Sequence, residues 1–201
     1  MSRSKTIVFF ILFIVLVIIV LFPIIQSKNI KMKDSQTLSN GDYVIGKDLA
    51  PGIYDVKVLK GAVNYSGRDL TKSDMLKGFK YTNQEHIIIK GDGKILLTKA
   101  KFKPLPRNDS GDYVIKHSGV YRVGEQLKSD EYLISYKVKN NQQLEDKPYV
   151  QILNKRDRDL INEFEITKQE IVEVNESNLI SVNKTLFEEN DNITIFLSPT
   201  N

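Results

Sequence analysis

The chain has 201 residues, with 27% charged residues, a formal net charge of +4, no cysteine and no tryptophan. Without cysteine there is no disulfide framework and no cysteine-ligated zinc site. Removing Arg3 and Lys5 leaves about +2 for everything after residue 27, which excludes the strongly basic footprint of a nucleic-acid binder.

The first element in chain order is an uninterrupted apolar run, residues 7–25. Nineteen helical residues at ~1.5 Å each span ~28 Å, close to the ~30 Å hydrocarbon core of a bilayer. No A-x-A-like site follows the run, and no cysteine is available for a lipoprotein cleavage point, so the segment reads as an uncleaved signal-anchor. Arg3 and Lys5 hold the short end in the cytoplasm, whereas Lys28, Lys31 and Lys33 argue for the reverse by the same rule. The short tail, the length of the following region and the avoidance of cysteine favour a cytoplasmic N-terminus with the bulk of the chain extracytoplasmic.

Residues 28–40 are polar and unpatterned, a stalk. An internal repeat follows. Gly41, Tyr43, Gly46, Leu49 and Tyr54 recur as Gly119, Tyr121, Gly124, Leu127 and Tyr132, all at an offset of 78. A second block sets residues 84–89 on 169–174, and Ile95, Lys99 and Phe102 on Ile180, Lys184 and Phe187, at an offset of 85. Alternation of apolar and polar residues predicts strands over 53–59 and 131–139, and residues 193–197 form another short one. Pro51-Gly52 predicts a type II turn, and Asp92-Gly93 a hairpin between 87–90 and 95–98. Helix candidates are few: a capped turn at 71–76 and a short charged segment at 156–164.

The expected fold is therefore mainly β, an N-terminal single transmembrane helix followed by a duplicated antiparallel β-sandwich-like region. Its parts are a tail and anchor (1–27), the stalk (28–40), a first unit (41–106), a linker or shared strand (107–118) and a second unit (119–198). The units form either two small sandwiches or one joint sandwich.

Gly46, Asp48, Leu49, Pro51, Gly52 and Tyr54 carry a resemblance to the "VGxDIxPGxY" repeat of poorly characterised exported proteins from Gram-positive bacteria. The second copy keeps Gly124, Leu127 and Tyr132 but has Ser129-Asp130 in place of Pro-Gly. The resemblance implies a membrane-anchored or lipid-anchored β protein and brings no agreed enzymatic activity with it.

Chemical motifs are sparse. Gly41 to Asp48 follows G-x-x-x-x-G-K, but Asp48 stands where a phosphate-binding loop needs Ser or Thr, and Pro51 opposes the helix that should follow. His86 opens an apolar strand and reads as a packing position, and His117 lies in the linker. Ser110 and Ser118 lack a glycine elbow. Residues 188–192 offer oxygens for Ca²⁺ or form a solvated turn. Five N-x-S/T sequons, at Asn64, Asn108, Asn175, Asn183 and Asn192, are expected by chance in an Asn-rich chain. No catalytic, cofactor-binding or metal-ligating residue is nominated.

Lys94, Lys99, Lys101, Lys103 and Arg107 form the one basic stretch. On a strand, Lys99, Lys101 and Lys103 share a face, either to attract anionic envelope polymers or to protect a sheet edge from aggregation. Tyr43 and Tyr121, beside the repeat turns, are candidate contacts or core residues. The function expected is that of a non-catalytic, membrane-anchored cell-envelope or protein-binding module. The alternative is a cell-wall-polymer-acting enzyme with unidentified carboxylates. The expected partners are the membrane, through residues 7–25, and an anionic envelope polymer or another membrane protein, but no nucleic acid.

Overall fold

The computed structural model describes Val15, residues 33–139, 146–185, 189 and 192–200. The expected anchor, residues 7–25, lies outside the described residues apart from Val15, and no helix among the described residues is long and apolar enough to cross a membrane.

The fold is mainly β. In the first half, strands β1 (Ser35–Leu38), β3 (Gly52–Lys60), β6 (Met75–Tyr81) and β8 (Lys94–Lys99) lie in one sheet, in the order β1-β8-β3-β6. Strands β2 (Gly41–Val44), β4 (Ala62–Tyr65), β5 (Arg68–Thr71) and β7 (His86–Gly91) form another, ordered β2-β7-β4-β5. Leu38, Val56, Leu76, Ile95 and Leu97 from the first sheet meet Val63, Leu70, Ile87 and Ile89 from the second in one buried cluster. Alternate residues point inward, as the pleat requires.

The second half repeats this plan strand for strand. Strands β9 (Tyr113–Ile115), β11 (Asp130–Val138), β14 (Glu170–Val174) and β16 (Ile193–Pro199) are ordered β9-β16-β11-β14. Strands β10 (Gly119–Arg122), β12 (Tyr149–Asn154), β13 (Leu160–Glu165) and β15 (Asn178–Asn183) are ordered β10-β15-β12-β13. Their inward residues, among them Ile134, Val150, Ile180 and Ile195, make a second core.

The pairing corrects the second block of the repeat. Tyr43 faces Ile87 across β2 and β7, and Tyr121 faces Ile180 across β10 and β15. Tyr54 likewise faces Phe79, and Tyr132 faces Val172. The offset therefore rises from 78 to 93, and the match at 85 laid β7 on β14 and β8 on β15. Any two short alternating strands match in polarity, so pattern alone does not say which is which.

The residues repeated at offset 78 build one local device twice. Gly46 (φ +88°) and Gly124 (φ +84°) take the left-handed conformation that opens a tight turn. Their N–H groups donate to Leu49 O at 2.6 Å and Leu127 O at 2.8 Å. Asp48 Oδ2 accepts the Val44 N–H at 2.8 Å, and Gln126 Oε1 accepts the Arg122 N–H at 3.0 Å. Four tyrosine hydroxyls then donate to the carbonyl four residues back: Tyr43 to Ser39 (3.1 Å), Tyr54 to Ala50 (2.6 Å), Tyr121 to His117 (2.5 Å) and Tyr132 to Lys128 (2.9 Å). Each bond satisfies a loop carbonyl and contributes about 1 kcal/mol net. The repeated motif is thus a clamp on the strand connections. The phosphate-loop spacing of residues 41–48 is one copy of it, a strand and a turn with no helix following.

Other local expectations change as well. Gly52 opens β3 without positive φ, so the tight turn lies at Gly46 and not at Pro51-Gly52. β7 and β8 belong to different sheets, so Asp92-Gly93 is a crossing between layers, not a hairpin. Residues 71–76 contain a turn closed by Asp74 Oδ2 on the Thr71 N–H, between two strands, and 156–164 runs from a turn into β13. Residues 35–38, expected in the stalk, are an edge strand whose Leu38 is buried, which stabilises by about 2 kcal/mol.

The two halves join through a seam. β6 and β10 pair in parallel at Lys77 and Gly119, which merges their sheets into one of eight strands. A Cβ on Gly78 would lie 2.3 Å from Val120 O, and one on Gly119 would lie 2.3 Å from Lys77 O. Only glycine admits that approach. Gly78→Ala should cost more than about 2 kcal/mol by denaturant midpoint, since overlap adds to the strain of φ +67°. Gly111→Ala, which meets open space, should cost about 1 kcal/mol. Equal losses would mean that the seam is not tight.

Buried tyrosines also set an alkaline limit. Burial, the largest cause in each case, raises Tyr54, Tyr65, Tyr121 and Tyr132 above the ordinary phenol value and pushes Tyr81 up to about 12. The unfolded chain releases these protons from pH ~10 while the fold retains them. Stability should be complete below pH ~10 and fall as pH rises towards 12, with tyrosinate absorbance appearing together with unfolding. Full tyrosinate absorbance from a still-folded chain would contradict this.

Candidate functional site

The segment from residue 100 to 106 leaves β8 and crosses the seam. It is pinned at both ends: the Ala100 N–H donates to Ile53 O at 2.9 Å, and the Leu105 N–H to Gln126 O at 2.8 Å. Leu105 packs on the second core. Between these pins Phe102 sits with the Arg122 guanidinium 3.6 Å from its ring centre, a cation–π contact.

Beside this segment opens a cleft of about 800 Å³. Lys77 and Lys99 come from the first half, Lys101 and Lys103 from the crossing segment, and Lys116 from the second half. Two carboxylates face these five lysines. Asp55 is already engaged, with Oδ2 2.9 Å from Lys77 Nζ and Oδ1 accepting the Gly78 N–H at 3.0 Å. Asp34 is the other.

Lys99, Lys101 and Lys103 are exposed and line the same cleft, though not as one strand face. β8 ends at Lys99, and the Lys103 N–H turns back onto Lys101 O at 3.0 Å. β8 also lies between β1 and β3, so its lysines do not guard an open edge. Lys94 is exposed at the far end of β8, and Arg107 stacks on the Tyr113 ring at 4.1 Å. Tyr121 borders the cleft but is buried, its hydroxyl bound to His117 O. Burial first, then the nearby Glu189 and Asp55, raises its phenol. Tyr43 is half-buried in the matching clamp and does not line the cleft.

His86 is exposed, with Nδ1 in hydrogen-bond reach of Asp42 Oδ1 at 2.8 Å, so it is a surface hydrogen-bonding group and not a packing position. Among the described residues no three His, Asp or Glu side chains gather as a metal site.

No local pattern marks the buried network that meets the cleft at Lys116. Of residues 188–192, expected as a solvated turn, Glu189 is buried with Oε1 2.7 Å from Lys184 Nζ, and both side chains are fully inaccessible. Glu189 Oε1 also accepts the Ser118 N–H at 3.0 Å, while Lys184 Nζ donates to Lys116 O at 2.7 Å and the Lys184 N–H to Ser118 Oγ at 3.0 Å. From the first half, Arg68 Nη2 donates to Asn183 Oδ1 at 2.8 Å. This network fixes residues 116–118, which carry Lys116 into the cleft and Gly119 into the seam. Ser118 therefore serves as a buried hydrogen-bonding group.

No family model matches the chain, and no curated protein matches it. The site's meaning therefore rests on its own chemistry.

Removing one member of the buried pair takes away the opposite charge that lies 2.7 Å from the other. Glu189→Leu or Lys184→Met alone should cost about 3–5 kcal/mol, and the double variant should cost less than the sum of the two, because it leaves neither charge buried alone although the Ser118 N–H and Lys116 O lose their partners. Additive losses in the double variant would show that the two side chains are not coupled.

Proposed function

We infer that the protein is a non-catalytic binding module of the cell envelope, held at the membrane by residues 7–25 with its β region extracytoplasmic, and that its ligand is an anionic envelope polymer taken at the seam. The observation that carries this reading is the cleft itself. Five lysines from three separate parts of the chain converge on one concave space, where one of the two carboxylates is already committed to Lys77. Converging cations at a concave junction raise the local concentration of anions and hold them by many weak contacts. The resemblance to exported β proteins with the "VGxDIxPGxY" repeat supports the address, as does the apolar run with Arg3 and Lys5 before it. The doubled strand order supports an origin by duplication, with the binding site made new at the joint between copies. The alternative, an enzyme acting on wall polymer, draws no comparable support, since Asp55 is held by Lys77 and the Gly78 N–H.

The test is retention of the full chain, in nonionic detergent, on isolated cell envelopes. Retention should fall as salt rises, and the triple variant Lys99→Gln, Lys101→Gln, Lys103→Gln should bind about tenfold more weakly at low salt. Salt-insensitive retention that the triple variant leaves intact would contradict the reading, as would no retention at any salt.

A further inference from the structure

A second cleft, of about 230 Å³, adjoins the first, and Gly78, Phe102 and Val120 line both. Its charged walls are Lys80, Arg122, Lys155 and Arg158, with no carboxylate among the residues that line it. Glu125 stands by as counter-charge, 3.1 Å from Arg122 Nη1 and 3.1 Å from Lys155 Nζ. Around the two clefts, nine cations therefore meet four carboxylates, Asp34, Asp55, Glu125 and Glu85, the last acting on Arg158. That surplus of five exceeds the +4 of the whole chain, so the seam is more positive than the remainder of the molecule.

Arg158 is the telling residue. Its backbone is left-handed at φ +68°, a conformation that glycine adopts far more readily than arginine. Its side chain is half-buried. Burial, and then the like charge of Arg122, lower its guanidinium from the ordinary value, with Glu85 acting the other way. That conformation closes the turn from β12 into β13, where the Arg158 N–H donates to Asn154 O at 2.9 Å and the Asn154 N–H to Asp159 O at 2.9 Å, and the turn so closed sets the guanidinium on the cleft wall beside Arg122.

Building on the reading of the first cleft as an anion site, we propose that the second cleft is a further subsite and that one linear phosphate polymer occupies both, passing over Phe102. Phosphate is the matching chemistry because guanidinium forks engage its oxygens bidentately, and two guanidinium and two ammonium groups in so small a space suit a dense negative charge. The aromatic ring, fixed under Arg122, is the step between the subsites.

The experiment compares tripolyphosphate with long-chain inorganic polyphosphate as probes, using the full chain in nonionic detergent. The long chain should bind at least about tenfold more tightly, because the second contact becomes intramolecular. Arg158→Gly removes the cation and relieves the backbone, so the fold should be as stable as the parent or more so. Long-chain affinity should nevertheless drop towards that of tripolyphosphate, and the slope of log affinity on log salt should flatten by about one unit. Lys80→Gln should act in the same direction. Equal affinity for the two probes, or an Arg158→Gly variant that binds the long chain like the parent, would overturn the two-subsite proposal and leave the first-cleft reading standing. No binding of either probe would overturn both.

Discussion

Two backbones can touch at Lys77 and Gly119 only because neither Gly78 nor Gly119 carries a Cβ. Any other residue at either position would place an atom 2.3 Å from a carbonyl oxygen of the opposite strand. Pairing at that one point turns two four-stranded sheets into one of eight, and much else depends on it. It brings Lys77 beside the second half, puts Lys116 and Lys99 on one cleft, and leaves residues 100–106 to cross between the clefts. The buried Lys184–Glu189 pair holds the strand that enters the seam, and Arg68 ties the first half to the second. The gathering of cations at the clefts is a consequence of this joint, because no single strand carries them.

The repeat itself serves architecture, not chemistry. The residues that recur at offset 78 are those needed to turn a chain sharply and tie the loop to the strand. Glycine supplies positive φ, Asp48 and Gln126 accept a backbone N–H, and the tyrosines bond four residues back. That Asp48 and Gln126 perform the same task explains why the position varies in type. The clefts lie where the copies differ. Gly78 has no glycine partner in the other half, since Phe79 corresponds to Val172 and its neighbour there is Ile171, which is exposed. The second copy thus lacks the seam-making residue and does not offer the same joint again.

Much of the fold was legible because strand alternation and turn glycines are local signals. Tyr54, Val56 and Val58 announce a buried face, and the offset of 78 is visible in five identities. The later match slipped because fifteen further residues separate the second copy's strands, and an apolar alternation such as residues 87–89 fits several strands equally well. The site was legible only in part. Lys99, Lys101 and Lys103 stood out because they are close in sequence. Lys77, Lys116, Lys80, Arg122, Lys155 and Arg158 are spread across more than seventy residues and meet only through sheet order, so no local pattern marks them. Glu189 was misread for a related reason: a carboxylate in an acidic, Asn-rich turn ordinarily faces water, and its burial depends on Lys184.

The most direct test of the seam as the binding site is amide chemical-shift mapping of the full chain in nonionic detergent, titrated with tripolyphosphate. The shifts should concentrate on Lys77, Gly78, the non-proline residues of 99–106 and residues 116–120, where both halves and the crossing segment meet. Shifts spread evenly over the surface, or confined to strands β4, β5 and β13 away from the cleft walls, would contradict it.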